Sequence, residues 1–91
     1  MPTRDVVLIG KPGCHLCDDA RIVIREVVDS LGADGPLINF EERSILDDPE
    51  LHARFVDDIP VVLVDGRVHT FWRVDAERLR TSLLTTDTRG N

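Results

Sequence analysis

The chain has 91 residues, 42% hydrophobic and 31% charged, the proportions of an ordinary soluble globular domain with one core. Its formal net charge of −6, with the 11 basic residues scattered, argues against a nucleic-acid partner and against a lipid-binding patch, both of which call for clustered basic residues. The longest apolar runs, Val6–Ile9 and Ile59–Val64, are far too short to span a bilayer, and "MPTRDVVLIG" holds no apolar stretch of signal-peptide length.

Val6-Val7-Leu8-Ile9, bounded by Gly10, reads as a strand buried on both faces, as in a parallel sheet. From Cys14 the period becomes helical: Leu16, Ala20, Val23, Val27 and Leu31, joined by Ile24 and Val28, form one stripe, and Gly32 follows as a cap. "PLINFEE" gives a second strand over Leu37–Glu41. Asp48, Pro49 and Glu50 start a short helix that ends near Phe55. Ile59–Val64 is a third strand, Asp65-Gly66 a two-residue hairpin turn, and Arg67–Phe71 the returning strand. Asp75 opens a last helix whose inner face carries Leu79 and Leu83 near Ala76. The order β-α-β-α-β-β-α predicts an α/β domain: a strand–helix–strand start for a parallel pair, then a hairpin adding an antiparallel edge. Residues 1–84 form one domain, and the small, polar 85–91 segment is expected to be a flexible tail.

The only two cysteines, Cys14 and Cys17, stand three apart where strand gives way to helix. Gly10-Lys11-Pro12-Gly13 is turn material, so Cys14 falls at the helix N-terminus and Cys17 one turn in, near disulfide-forming distance. Unsatisfied N–H groups and the positive end of the helix dipole favour a thiolate at Cys14. Lys11 would add to that field, while Asp18 and Asp19 oppose it. A structural zinc site needs four ligands, and His15, His52 and His69 have no paired spacing. With no secretory leader in view the expected compartment is cytoplasmic, where a cysteine pair is more often reactive than a staple. A reactive dithiol is therefore favoured over a metal site or an incidental pair.

Strand, turn, Cys-X-X-Cys at a helix head and a later strand opening on X-Pro together resemble the thioredoxin fold. Within it, Lys11-Pro12-Gly13-Cys14 and Ile59-Pro60 resemble the glutaredoxins, and above all the small bacterial glutaredoxin-like proteins whose active site reads Cys-His-Leu-Cys. The resemblance covers residues 6–84. It implies a glutaredoxin-type four-stranded mixed sheet flanked by three helices, and thiol–disulfide oxidoreductase activity with Cys14 attacking and Cys17 resolving. It also implies a cis peptide bond at Pro60, with the Ile59 backbone free to pair with substrate. Around these, Lys11, His15, Trp72 and Asp75 are the candidate substrate-binding residues. Glutathione-binding members carry a Gly-Gly pair before an acidic residue that opens the last helix; here Phe71 and Trp72 stand in that place, ahead of Asp75, and would crowd the tripeptide. Asp75 has an equally good role as a helix cap, and His15, with an ordinary pKa near 6.5, could assist proton transfer. The implied partners are a protein or small-molecule disulfide, with glutathione or a thioredoxin-type protein as candidate reductant. No tightly bound cofactor or metal is expected, and the chain is taken as a monomer. The alternative is a non-catalytic thioredoxin-fold module that binds or senses redox state; a shared iron–sulfur cluster is the least favoured reading.

Overall fold

The computed structural model describes residues 3–32 and 35–84 and has the expected thioredoxin-like order. Strand β1 is Thr3–Gly10, helix α1 His15–Leu31, β2 Leu37–Ser44, α2 Pro49–Phe55, β3 Val61–Val64, β4 Arg67–Phe71 and α3 Ala76–Leu84. The four strands form one mixed sheet in the order β2-β1-β3-β4. β1 runs parallel to β2 and antiparallel to β3, and β3 and β4 form the antiparallel hairpin. The segment 85–91, expected to be a tail, lies outside the described residues.

Alternation along β1 distributes its side chains to two cores, as a sheet covered on both faces requires. Val6 and Leu8 pack with Ala20, Ile24 and Val27 of α1, Val62 of β3, and Leu79 and Leu83 of α3. Ile9 turns the other way, onto Ile45, Val61 and Phe55 of α2, with Leu51 and Leu63 at the margin. Helices α1 and α3 thus cover one face and α2 the other. Between β3 and β4 the chain reverses at Asp65 and Gly66, whose φ values of +53° and +84° suit the tight turn that the right-handed twist of a hairpin prefers.

Three details depart from the expected pattern. β2 continues past Glu41 to Ser44, because the edge strand keeps its parallel register with Leu8–Gly10 although its side chains there are polar. β3 begins only at Val61, Pro60 having no N–H to give a ladder. The buried stripe of α1 is Cys17, Ala20, Ile24 and Val27, while Leu16 is 42% exposed. Adjacent helical positions differ by about 100°, so only one of Leu16 and Cys17 can face the sheet, and the smaller side chain fits at its end.

Candidate active site at the C-terminal end of β1

The site forms along one end of the sheet. Ser44 of β2 and Gly10 of β1 are register partners, and the Ile45 N–H donates to the Gly10 carbonyl at 2.9 Å. Ile9 pairs with Val61, which sets Pro60 beside Gly10 at the start of β3. On the far side the Trp72 N–H donates to the Pro60 carbonyl at 2.7 Å. The row Ser44, Gly10, Pro60, Trp72 is the edge from which the turn Lys11–Gly13 leads into α1.

Cys14 is the N-cap of α1: its backbone is extended (φ −99°, ψ 114°) and its carbonyl accepts the Asp18 N–H at 3.0 Å. Its side chain does the work usually given to a serine or aspartate oxygen, because Sγ accepts the Cys17 N–H at 3.2 Å. Both cysteines are free thiols, Cys14 partly exposed and Cys17 only 2% exposed. Desolvation pushes the Cys17 thiol up to about 11, and its hydrogen bond to the Cys14 sulfur adds to the rise; the Lys11 backbone N–H opposes it. A thiol raised in this way stays protonated near neutral pH. The two thiols therefore differ in kind: one is reachable and accepts hydrogen bonds, the other is buried and protonated. In the sequence Gly10 reads as the strand boundary and the start of a turn, but it also makes room for this pair, since a Cβ there would stand 2.7 Å from Cys17 Sγ.

The remaining candidate residues fall into two groups. Pro60 is buried, and its bond to Ile59 is cis. Trp72 is 54% exposed; its ring N–H donates to the Asp57 carbonyl at 3.4 Å, and the Phe71 ring lies 6.1 Å from it, tilted by 47°. The Trp72 φ of +64° is left-handed, a conformation that glycine adopts readily and that costs other residues about 1–2 kcal/mol. Glutathione-binding glutaredoxins carry glycines in this place; here the glycine-like backbone persists under a large aromatic side chain. Pro60, with Ile59 before it, and Trp72 thus stand together on the β3–β4 side of the row. Asp75 takes its capping role: Oδ1 accepts the Arg78 N–H at 3.1 Å and its carbonyl the Leu79 N–H at 3.0 Å. Lys11 and His15 are exposed; Lys11 meets the dithiol through its backbone, and His15 is the first residue of α1.

A cleft of about 260 Å³ opens on the β2 side, lined by Gly10, Lys11, Cys17, Arg21, Glu42 and Ser44 among others. Arg21 spans it, giving its Nε–H to the Glu42 carboxylate and an NH1 proton to Asp18, each at 2.9 Å. Cys14 does not line this cleft. Among the described residues no group of three or more His, Cys, Asp or Glu side chains is placed to hold a metal ion. His69 is half-buried in β4, where burial, and then the nearby Arg78 charge, press its imidazole below the ordinary value. No described helix is long and apolar enough to cross a membrane.

Residues 5–84 match the family described as Glutaredoxin-like domain (DUF836). The uncharacterised proteins Rv0508 of Mycobacterium tuberculosis (strain H37Rv) and Mb0520 of Mycobacterium bovis are each 36% identical over 83 residues, 91% of this chain and 86% of theirs. Among solved structures, the X. campestris protein XcR50 superposes with a TM-score of 0.66 at 32% identity, covering 86% of this chain and 93% of its own. Ne2328 of Nitrosomonas europaea, at 21% identity, shares the fold with a TM-score of 0.71 over 88% and 91% of the two chains. The order of elements, the cis proline beside the Cys14–Cys17 turn and the match over residues 5–84 agree, and the chain belongs to the glutaredoxin-like domain family.

Proposed function

We propose that the protein is a thiol–disulfide oxidoreductase in which Cys14 attacks and Cys17 resolves. One observation carries the reading: the buried Cys17 gives its backbone N–H to the sulfur of the more exposed Cys14, which caps helix α1. That N–H is a group a negative sulfur would accept, at a helix N-terminus that already favours negative charge. In the proposed cycle the Cys14 thiolate attacks one sulfur of a substrate disulfide, forming a mixed disulfide and expelling the other sulfur as a thiolate. That thiolate takes the Cys17 proton. The Cys17 sulfur, now a thiolate, then attacks Cys14 Sγ, closing the Cys14–Cys17 disulfide and expelling the second substrate sulfur as a thiolate, which takes a proton from water; two electrons have passed to the substrate. A monothiol such as glutathione, or a thioredoxin-type dithiol, resets the pair.

The supporting residues have corresponding roles. Pro60 fixes the chain beside the dithiol, and the Ile59 backbone takes the substrate as an added strand would. Trp72 forms the wall on the β4 side. Lys11 and His15 flank the entrance, and Asp75 acts through the position of α3. Protein or small-molecule disulfides are the expected substrates, in the cytoplasm, with the protein acting as a monomer.

The test is reduction of a protein disulfide coupled separately to glutathione and to a thioredoxin system, with the state of the pair read by alkylation and intact mass. Turnover with either reductant is expected, with activity lost in Cys14→Ser and a covalent adduct accumulating in Cys17→Ser. Absence of turnover with both reductants, and of any adduct in Cys17→Ser, would return the molecule to a binding or sensing role.

A further inference from the structure

We infer that the rim on the β4 side of Cys14 selects disulfides carried on apolar, cationic polypeptide segments over those of glutathione. The inference rests on the thiol–disulfide reading of Cys14 and Cys17 and adds the substrate class. Apolar side chains gather around that end of the sheet without entering either core. Trp72 and Phe71 are 54% and 40% exposed with their rings 6.1 Å apart, and Val56, just before Asp57, is 38% exposed. The Trp72 ring is not free to fold away. Its N–H is held by the Asp57 carbonyl, and its backbone N–H by the carbonyl of Pro60, the residue that fixes the substrate-facing backbone. An exposed aromatic side chain, held at its ring N–H on a left-handed backbone at the same end of the sheet as the Cys14–Cys17 turn, is strain and apolar surface outside both cores.

The charges around this rim set the sign of the occupant. Asp57, whose carbonyl holds the Trp72 ring, and Asp58 follow Val56, and Asp75 lies beyond Trp72. Asp57, Asp58 and Asp75 enter no ion pair among the described residues. The cations of the same segments are Arg73 and Arg54, and the Arg54 guanidinium lies over the Phe55 ring at 4.6 Å. Glutathione carries more carboxylates than ammonium groups and has no apolar side chain for Trp72, so both features disfavour it. An extended segment with Leu- or Val-like residues beside its cysteine and Lys or Arg farther out answers both.

The experiment uses three mixed disulfides with the same leaving group, 2-nitro-5-thiobenzoate, whose release is coloured. They carry glutathione, a short peptide with Leu and Lys flanking its cysteine, or a matched peptide with Ser and Glu. Each is mixed with reduced Cys17→Ser protein, in which Cys14 forms the new disulfide with the carried cysteine and the nitrobenzoate anion leaves. Rates are divided by those of N-acetylcysteine on the same compounds. The Leu–Lys peptide should react about tenfold faster than the other two at low salt. Its lead over the Ser–Glu peptide should shrink as salt rises, and Trp72→Gly, made in the same background, should narrow its lead over glutathione. Equal normalised rates, or glutathione fastest, would overturn the selectivity and leave the oxidoreductase reading standing. Cys14 no faster than N-acetylcysteine on all three would remove both.

Discussion

A Cβ at position 10 would meet Cys17 Sγ at 2.7 Å and Cys17 Cβ at 3.1 Å, so the buried cysteine occupies the space that a side chain on β1 would fill. Neither partner has much room to yield. Gly10 is held in register with Ser44 and by the Ile45 N–H, and Cys17 is fixed by the first turn of α1. Gly10→Ala is therefore expected to cost about 1–3 kcal/mol, the range for overfilling a packed site. It should also draw Cys17 away from Cys14 and expose it. Urea unfolding of the reduced protein measures the first effect, and the rate of Cys17 alkylation at neutral pH measures the second. A Gly10→Ala variant with the wild-type midpoint and an unreactive Cys17 would mean that the close approach is not a constraint. In the sequence Gly10 is only the end of an apolar run and the start of a turn, because what it accommodates lies seven positions on and arrives by folding.

Elements were legible where one segment carries its own signal. Helix α2 is the clearest case: Asp48, Pro49 and Glu50 announce its start, and Asp48 Oδ1 accepts the N–H groups of Glu50 at 2.9 Å and Leu51 at 3.3 Å. This helix supplies Phe55 and Leu51 to the second core and leads directly into the Asp57–Pro60 stretch that holds Trp72. Asp48→Ala should accordingly cost about 1 kcal/mol, as loss of a capping side chain does, and should speed hydrogen exchange at the Glu50 and Leu51 amides. Unchanged exchange at those amides would show that packing of Phe55 alone holds the helix. The far end of β2 was not legible, since Glu42, Arg43 and Ser44 have neither alternation nor β-branched residues. Their order comes from β1 alongside and from partners such as Arg21, distant in the chain. The first turn of α1 misleads at Leu16 for a related reason. Periodicity gives the angle between residues on a helix, but which of two neighbours faces inward depends on the sheet end beneath them. The cysteines and Pro60, by contrast, were found from spacing and resemblance, and the structure places them at the same end of the sheet.

At the scale of the whole molecule the sheet has two unlike ends: the dithiol row, and an opposite end closed by charge. There the Arg4 guanidinium gives a proton to Asp65 Oδ2 at 2.6 Å, and the Asp5 N–H donates to Asp65 Oδ1 at 3.0 Å. The Asp65 N–H donates to the Asp5 carbonyl at 2.8 Å, and the Asn39 side-chain amide donates to Asp5 Oδ1 at 3.1 Å. The hairpin turn is thus tied to β1, and β1 to β2, far from the reactive pair. Desolvation works against the Asp65 carboxylate, but the Asp5 amide and the Arg4 charge outweigh it and hold its pKa below the ordinary value. The folded protein therefore binds this proton more weakly than the unfolded chain, and stability rises with pH wherever the unfolded chain holds more protons. The contribution is fully present above the unfolded value, near 4, and disappears as the pH falls through the lower folded value. The Asp65 side chain is 38% exposed, so solvent screening keeps the contribution to about 0.5–1 kcal/mol. Asn tolerates the positive φ of this position, so Asp65→Asn removes the charge and leaves the turn. Urea unfolding at pH 7 should show the variant less stable by that amount, with the gap closing below pH 4. A gap that stays constant into acid would assign the loss to the turn itself, and no gap at pH 7 would mean that the Arg4 pair adds nothing to the closed end of the sheet.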